Sequence, residues 1–164
     1  MAVVHLIHGY TGAGKTTFAR RLESESGALR ISVDEWYLRL FVEGTTHHLE
    51  PALMTRLVEL LDELWPSLCS HGVDVILDFG FWSRSSRDHA RALAATAGAE
   101  PILYHVVCDD EVARERLLSR DNAGTGSFRI DEQAYNDLRS KYEPLGPDED
   151  HLVIDSGQLF TMPS

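Results

Sequence analysis

Cysteine is scarce in this chain, long apolar runs are missing and basic residues are outnumbered, and each shortage removes a class of protein. The two cysteines, Cys69 and Cys108, stand 39 positions apart, with no CxxC spacing and no histidines at ligand spacing beside them. They read as reduced, partly buried thiols of a cytoplasmic protein rather than as a disulfide framework or a metal site. The pair His47-His48 has no further ligand at metal spacing and reads as solvent-facing. No stretch approaches the roughly 18 to 20 apolar residues that span a bilayer, so no membrane association is expected. The first residues carry no basic stretch and pass straight into an apolar run, unlike a secretion signal. Lysine and arginine number 15 against 26 aspartates and glutamates, a net charge of −11. Such a balance repels polyanions at long range and disfavours a nucleic-acid substrate. Internal repeats and low-complexity tracts are absent.

What remains is ordinary globular material: 164 residues, 43% hydrophobic and 25% charged. That is enough for one domain, 1–164, with a full hydrophobic core.

Against this background one segment stands out, Gly9-Tyr10-Thr11-Gly12-Ala13-Gly14-Lys15-Thr16-Thr17. It reads G-x-x-x-x-G-K-T, follows the apolar run Val3–Ile7 and leads into a helical stretch from Thr17 to Glu23. Strand, glycine-rich turn, Lys-Thr and helix in that order make a phosphate cradle. Backbone N–H groups of Gly12, Ala13, Gly14, Lys15, Thr16 and Thr17 wrap phosphate oxygens, and the new helix adds its positive end. Lys15 reaches the β/γ-phosphates, and the Thr16 hydroxyl takes a place on Mg²⁺. The segment predicts binding of a nucleoside triphosphate.

Short β-branched runs at 3–8, 29–33, 73–79, 102–107 and 151–155 predict strands. Helical stretches separate them. Segment 51–70 places Leu53, Leu57, Leu60, Leu61, Leu64 and Leu68 on one stripe, with Pro66 expected to kink it. Segment 84–97 stops at Gly98, 110–121 is strongly charged, and 131–142 begins at Asp131, an N-cap residue type. Strand–helix alternation implies an α/β fold with a parallel sheet covered on both faces, and ligands beyond the carboxyl ends of its strands. The Gly-rich stretch 121–130 reads as a mobile lid.

Candidate chemistry collects at those strand ends. Asp34 follows the second strand and suits two compatible roles: base for an attacking hydroxyl, and N-cap of a helix over 35–43. Asp78 ends the third strand in Leu77-Asp78-Phe79-Gly80-Phe81-Trp82, the Walker-B arrangement for Mg²⁺; its alternative is capping the next turn. Arg116 and Arg120 lie four apart on one helix face before the lid, where they clamp phosphate or pair with neighbouring acids. Arg129 lies within the lid as a third candidate. Trp36, Tyr37, Phe81 and Trp82 flank the two aspartates, as walls of an acceptor pocket or as core. Arg39 and Arg84 serve either the acceptor or salt bridges. Asp155-Ser156-Gly157 follows the last strand, where a backbone loop can lie beside the adenine.

Assembled in order, these pieces resemble the small P-loop kinases grouped with chloramphenicol phosphotransferase, zeta toxins and the kinase domain of phage polynucleotide kinase. The pieces are Gly9–Thr17, Asp34, Leu77–Trp82, Arg116, Arg120 and Ile154-Asp155-Ser156. Tyr142-Glu143-Pro144 followed by Asp148-Glu149 is similar to the tail of the short AAA-type ATP-binding kinase-like subgroup. The resemblance implies a five-stranded parallel sheet in the order 2-3-1-4-5 with a helical lid. It also implies ATP and Mg²⁺, Asp34 as base, and Arg116 and Arg120 on the phosphates. One departure matters. The polynucleotide kinase pattern has an arginine three positions after the base, where this chain has Tyr37, with Arg39 two residues later. With the acidic charge, this argues against a polynucleotide acceptor. The expectation is an ATP-dependent O-phosphotransferase acting on a small-molecule hydroxyl, of the antibiotic- or nucleoside-modifying kind. A polynucleotide 5′-hydroxyl kinase and a non-catalytic nucleotide switch are the alternatives.

Overall fold

Five short strands and the helices between them form a three-layer α/β arrangement in the computed structural model, which describes residues 1–41, 49–118 and 132–159. The strands are β1 (Val3–Gly9), β2 (Leu29–Ser32), β3 (Val75–Gly80), β4 (Glu100–Val107) and β5 (Leu152–Asp155). The helices are α1 (Lys15–Ser26), α2 (Val33–Phe41), α3 (Pro51–Ser70), α4 (Arg84–Thr96), α5 (Asp110–Leu118), α6 (Glu132–Ser140) and α7 (Ser156–Leu159). The sheet runs β2-β3-β1-β4-β5, and every neighbouring pair is parallel. This is the expected 2-3-1-4-5 order.

Side-chain alternation along the strands divides the core in two. Val4 and Leu6 of β1, with Val75 and Leu77 of β3, pack under α2, α3 and α4 through Tyr37, Leu57, Leu61, Trp65, Ala90 and Ala94. The intervening Ile7 and Ile76 face α1 through Phe18 and Ala19. Central strands buried on both faces need the near-continuous apolar runs seen here. Each fully buried large side chain contributes about 2 kcal/mol.

On α3 the structure differs from the expected leucine stripe. Leu57, Leu61, Trp65 and Cys69, four apart, are buried, while Leu60 and Leu64 are 56% and 38% exposed. One position back on a helix is a rotation of about 100°, which carries those two leucines off the core face. α3 carries Pro66 within it and continues to Ser70. The cysteines are both free, Cys69 buried and Cys108 half-buried. Among the described residues, no helix is long and apolar enough to cross a membrane.

Because all five strands are parallel, the segments after each of them share one rim. That rim holds the turn after β1, the first turn of α2, the Phe81-Trp82 loop and Ser156 at the start of α7.

Candidate active site

The turn after β1 is shaped by glycine. Gly12 has φ +84°, and a Cβ there would lie 2.4 Å from the Ala113 carbonyl oxygen of α5; only glycine lets the loop lie so close to that helix. Gly14 (φ +95°) enters α1, and a Cβ there would stand 3.1 Å from the Ser156 Cβ. Lys15 folds back over the loop, its Nζ donating to the Tyr10 carbonyl at 2.6 Å and standing 6.0 Å from the Trp82 ring centre. The Ala13 N–H donates to the same carbonyl at 3.2 Å, and its methyl is buried. Thr17 is exposed.

The acidic half of the site comes from β3 and α2. The Asp78 carboxylate has its pKa raised by burial, against the pull of Lys15, Arg30 and the neighbouring Thr16 hydroxyl. Asp78 lies inside β3 rather than at its end, and it accepts from Arg30 rather than capping a turn; Gly80 at φ +84° and Phe81 at φ +44° end the strand two residues later. Asp34 is likewise not the N-cap. It lies within the first turn of α2, and Ser32 Oγ accepts from the Glu35 N–H at 3.5 Å at the cap. Burial and the neighbouring Asp78 push the Asp34 carboxyl up to about 6, with Lys15 opposing. A carboxyl titrating there is suited to accept a proton near neutral pH.

A cavity of about 740 Å³ joins these groups. Gly12, Gly14, Lys15 and Thr16 line it on the phosphate-loop side, and Asp34, Asp78, Trp82 and apolar residues of α3 line the remainder. The Trp82 Nε1 is buried without a hydrogen-bond partner among the described residues. Arg116 Nη1 lies 3.4 Å from Ser156 Oγ and 3.5 Å from Cys108 Sγ, and Ser156 adjoins Gly14; neither lines the cavity. Other expected residues are placed elsewhere. Trp36 and Arg39 lie on the outward side of α2 and do not line the cavity. Tyr37 is core. Arg84 turns away to Asp88 at 2.9 Å and Asp148 at 2.8 Å. Arg120, Arg129 and the lid 121–130 lie outside the described residues.

Three arrangements were not anticipated. Arg30 of β2, nearly buried, donates to Asp78 Oδ2 at 3.0 Å and to both Glu35 oxygens at 2.7 Å, holding the strand that carries Asp78 to the turn that carries Asp34. An arginine inside an apolar strand was the available signal. Behind the loop, His8 Nδ1 meets the Phe81 carbonyl at 2.9 Å, and His8 Nε2 meets the Tyr142 hydroxyl at 2.8 Å. A carbonyl only accepts, so His8 carries its proton on Nδ1 and Tyr142 donates to Nε2. Burial keeps this imidazole neutral, with its pKa lowered to about 4. Tyr142 also stacks on Tyr10, centroids 4.0 Å apart. Finally, Asp62 of α3 and His89 of α4 meet at 3.0 Å on the cavity wall; neither falls in a motif.

Fold and loop together define a P-loop domain of kinase-like architecture. Residues 4–145 match the model of the family described as AAA domain (AAA_33), and the chain belongs to that family. No curated protein matches it. Among solved structures it is similar to a putative kinase from Chloroflexus aurantiacus, at TM-score 0.76 and 18% identity, covering 99% of this chain and 92% of that one. A sugar kinase from Janibacter sp. matches at TM-score 0.65 and 20% identity over 94% and 86% of the two chains. The Mycobacterium tuberculosis APS kinase CysC, solved with AMPPNP and APS, matches at TM-score 0.61 and 19% identity over 94% and 88%. At these identities the likeness is one of fold.

Proposed function

We propose that this chain is a cytoplasmic kinase that transfers the γ-phosphate of ATP to a hydroxyl of a neutral or weakly charged small molecule. The finer placement we propose is with the antibiotic- or nucleoside-modifying members of the chloramphenicol phosphotransferase and zeta toxin group. The observation that carries the reading is that Lys15, Thr16, Asp78 and the raised Asp34 carboxyl line one cavity. When bound, ATP supplies the phosphoryl group and Mg²⁺ offsets its charge.

The residues present fit both. The loop offers backbone donors and Lys15 to the phosphates, and Arg116 and Ser156 adjoin it at Gly14. Thr16 and Asp78 offer hard oxygens side by side. Among the described residues no cluster of three or more His, Cys, Asp or Glu side chains could hold a metal unaided. That suits Mg²⁺, which takes one or two protein oxygens together with substrate phosphates. Asp34 accepts the proton of the acceptor hydroxyl as that oxygen attacks, and Arg30, holding Glu35 and Asp78 together, keeps the carboxylates in register. Apolar walls from α3 and the Phe81-Trp82 loop exclude water and so restrain hydrolysis until an acceptor fills the site.

The test is ATP turnover with a panel of hydroxylated antibiotics, nucleosides and sugars, and with single-stranded oligonucleotides, at two salt concentrations. Slow basal hydrolysis that rises with a particular small alcohol is the expected result. Salt-sensitive labelling of oligonucleotide 5′ ends, with no response to any small alcohol, would overturn it.

A further inference from the structure

The wall of the cavity formed by α3 and α4 has a chemistry of its own. Met54, Val58 and Asp62 line it at four-residue spacing, which carries the wall over two helical turns, about 12 Å. Its apolar part therefore gives way to a carboxylate at one end. Asp62 Oδ1 accepts from the buried Trp65 indole at 3.1 Å, and Oδ2 from His89 Nε2 at 3.0 Å. Two hydrogen bonds leave a carboxylate with lone pairs to spare. In the tautomer that donates from Nε2 to Asp62, the His89 Nδ1 is left as an acceptor. Ser86, on the same face of α4, has its hydroxyl proton committed to the Ser83 carbonyl at 2.8 Å, so its oxygen also accepts. Three acceptors and no donor mark a place for a donor-rich group.

The charges on the cavity point the same way. Its described cations are Lys15, in the phosphate loop, and Lys141, just past α6. The arginines of α4 face away from it: Arg87 and Arg91 pair with Glu149 at 2.8 Å, and Arg84 pairs with Asp148. Nothing described at the α3–α4 wall receives a carboxylate or a phosphate. Asp34, Asp62 and Asp78 make the same space favourable for a cation.

Resting on the phosphotransfer reading, we propose that the acceptor is an amino alcohol. Its hydroxyl lies at Asp34, its apolar body lies along Met54 and Val58, and its ammonium group is held by Asp62, His89 and Ser86. Asp62 is then the residue that sets acceptor specificity, by charge.

Three probes on one skeleton test this: benzyl alcohol bearing a para aminoethyl, hydroxyethyl or carboxyethyl arm. Their binding is measured by calorimetry with Mg²⁺ and a non-hydrolysable ATP analogue, and again without nucleotide. The amine should bind about tenfold or more tighter than the hydroxyethyl compound, as a charge-assisted pair implies, and the carboxylate should bind weakest. Asp62→Asn keeps an oxygen for Trp65; it should weaken the amine about tenfold while leaving the hydroxyethyl compound within about twofold. His89→Ala, at an exposed position, should weaken the amine a few-fold. Equal binding of amine and hydroxyethyl compounds would overturn the proposal. So would discrimination that survives Asp62→Asn, or an amine that does not bind. Failure of the ATP analogue to bind, with amine discrimination intact, would remove the phosphotransfer reading and leave the subsite standing.

Discussion

Asp34 and Glu149 are carboxylates held away from bulk water, and their surroundings drive them in opposite directions. Glu149 takes Arg87 in a bidentate pair at 2.8 and 2.9 Å, Arg91 at 2.8 Å and the Gly146 N–H at 3.0 Å. The Arg87 hydrogen bond, first among these, holds its carboxyl far below the usual range. Asp34 faces the cavity with Asp78 for a neighbour, and burial raises it to about 6. The first carboxylate is locked ionised and ties the chain after α6 to the loop after β3, since Arg87 also donates to the Phe81, Glu143 and Pro144 carbonyls. The second is poised to change protonation. A buried acid thus stays ionised where arginines close on it and is pushed up where burial and a second carboxylate outweigh a single lysine.

The largest effect should come from cutting the locked pair. Glu149→Ala leaves Arg87, which is fully buried, without its counter-charge. Stability measured by urea unfolding should fall by about 3–5 kcal/mol. A loss below about 1 kcal/mol would show that Arg87 finds other partners and that the contrast is overstated.

Asp34→Asn should do the reverse. A folded-state pKa above the unfolded one means that ionising Asp34 costs stability, a cost that sets in as pH rises from about 4 to about 6. The asparagine variant should therefore be more stable than the parent by roughly 3 kcal/mol at pH 7, with the gain vanishing below about pH 4. The Glu149 contribution has the opposite sign: it is present above the unfolded glutamate pKa and is lost on acidification. Melting curves across pH 4 to 8 separate the two. An Asp34→Asn gain that does not depend on pH would detach it from titration.

The smallest effect is expected at Tyr142→Phe, which keeps the stack on Tyr10 but leaves the His8 Nε2 without its donor. A loss of about 1–2 kcal/mol is the scale for one unsatisfied buried group. No loss would mean that His105, at 3.2 Å from the same hydroxyl, takes over.

Much of the fold was legible before any coordinates. Apolar runs marked all five strands to within about two residues, and the G-x-x-x-x-G-K-T segment placed the phosphate side of the cavity. The side of the cavity facing the phosphate loop was less legible, because nearness in sequence to Asp34 is not nearness in space. Val33 and Tyr37, four apart, turn inward on α2, which sends Trp36 and Arg39 outward. Trp82 reaches the cavity because Gly80 and Phe81 adopt positive φ, a backbone choice that Phe81 does not announce. Arg30, Asp62 and His89 act through partners five to 48 positions away, distances at which no local pattern signals contact.

The central claim is that Asp34 is the base for a hydroxyl attacking in the cavity, and Asp34→Asn tests it most directly. The variant keeps the shape of the side chain while losing its basicity, so binding of an ATP analogue should stay within about threefold of the parent. Acceptor-dependent turnover, measured beside it, should fall by roughly 100-fold or more, the usual scale for a positioned general base. Turnover within about threefold of the parent would contradict the account and leave Asp34 a residue of the α2 first turn with no part in the chemistry.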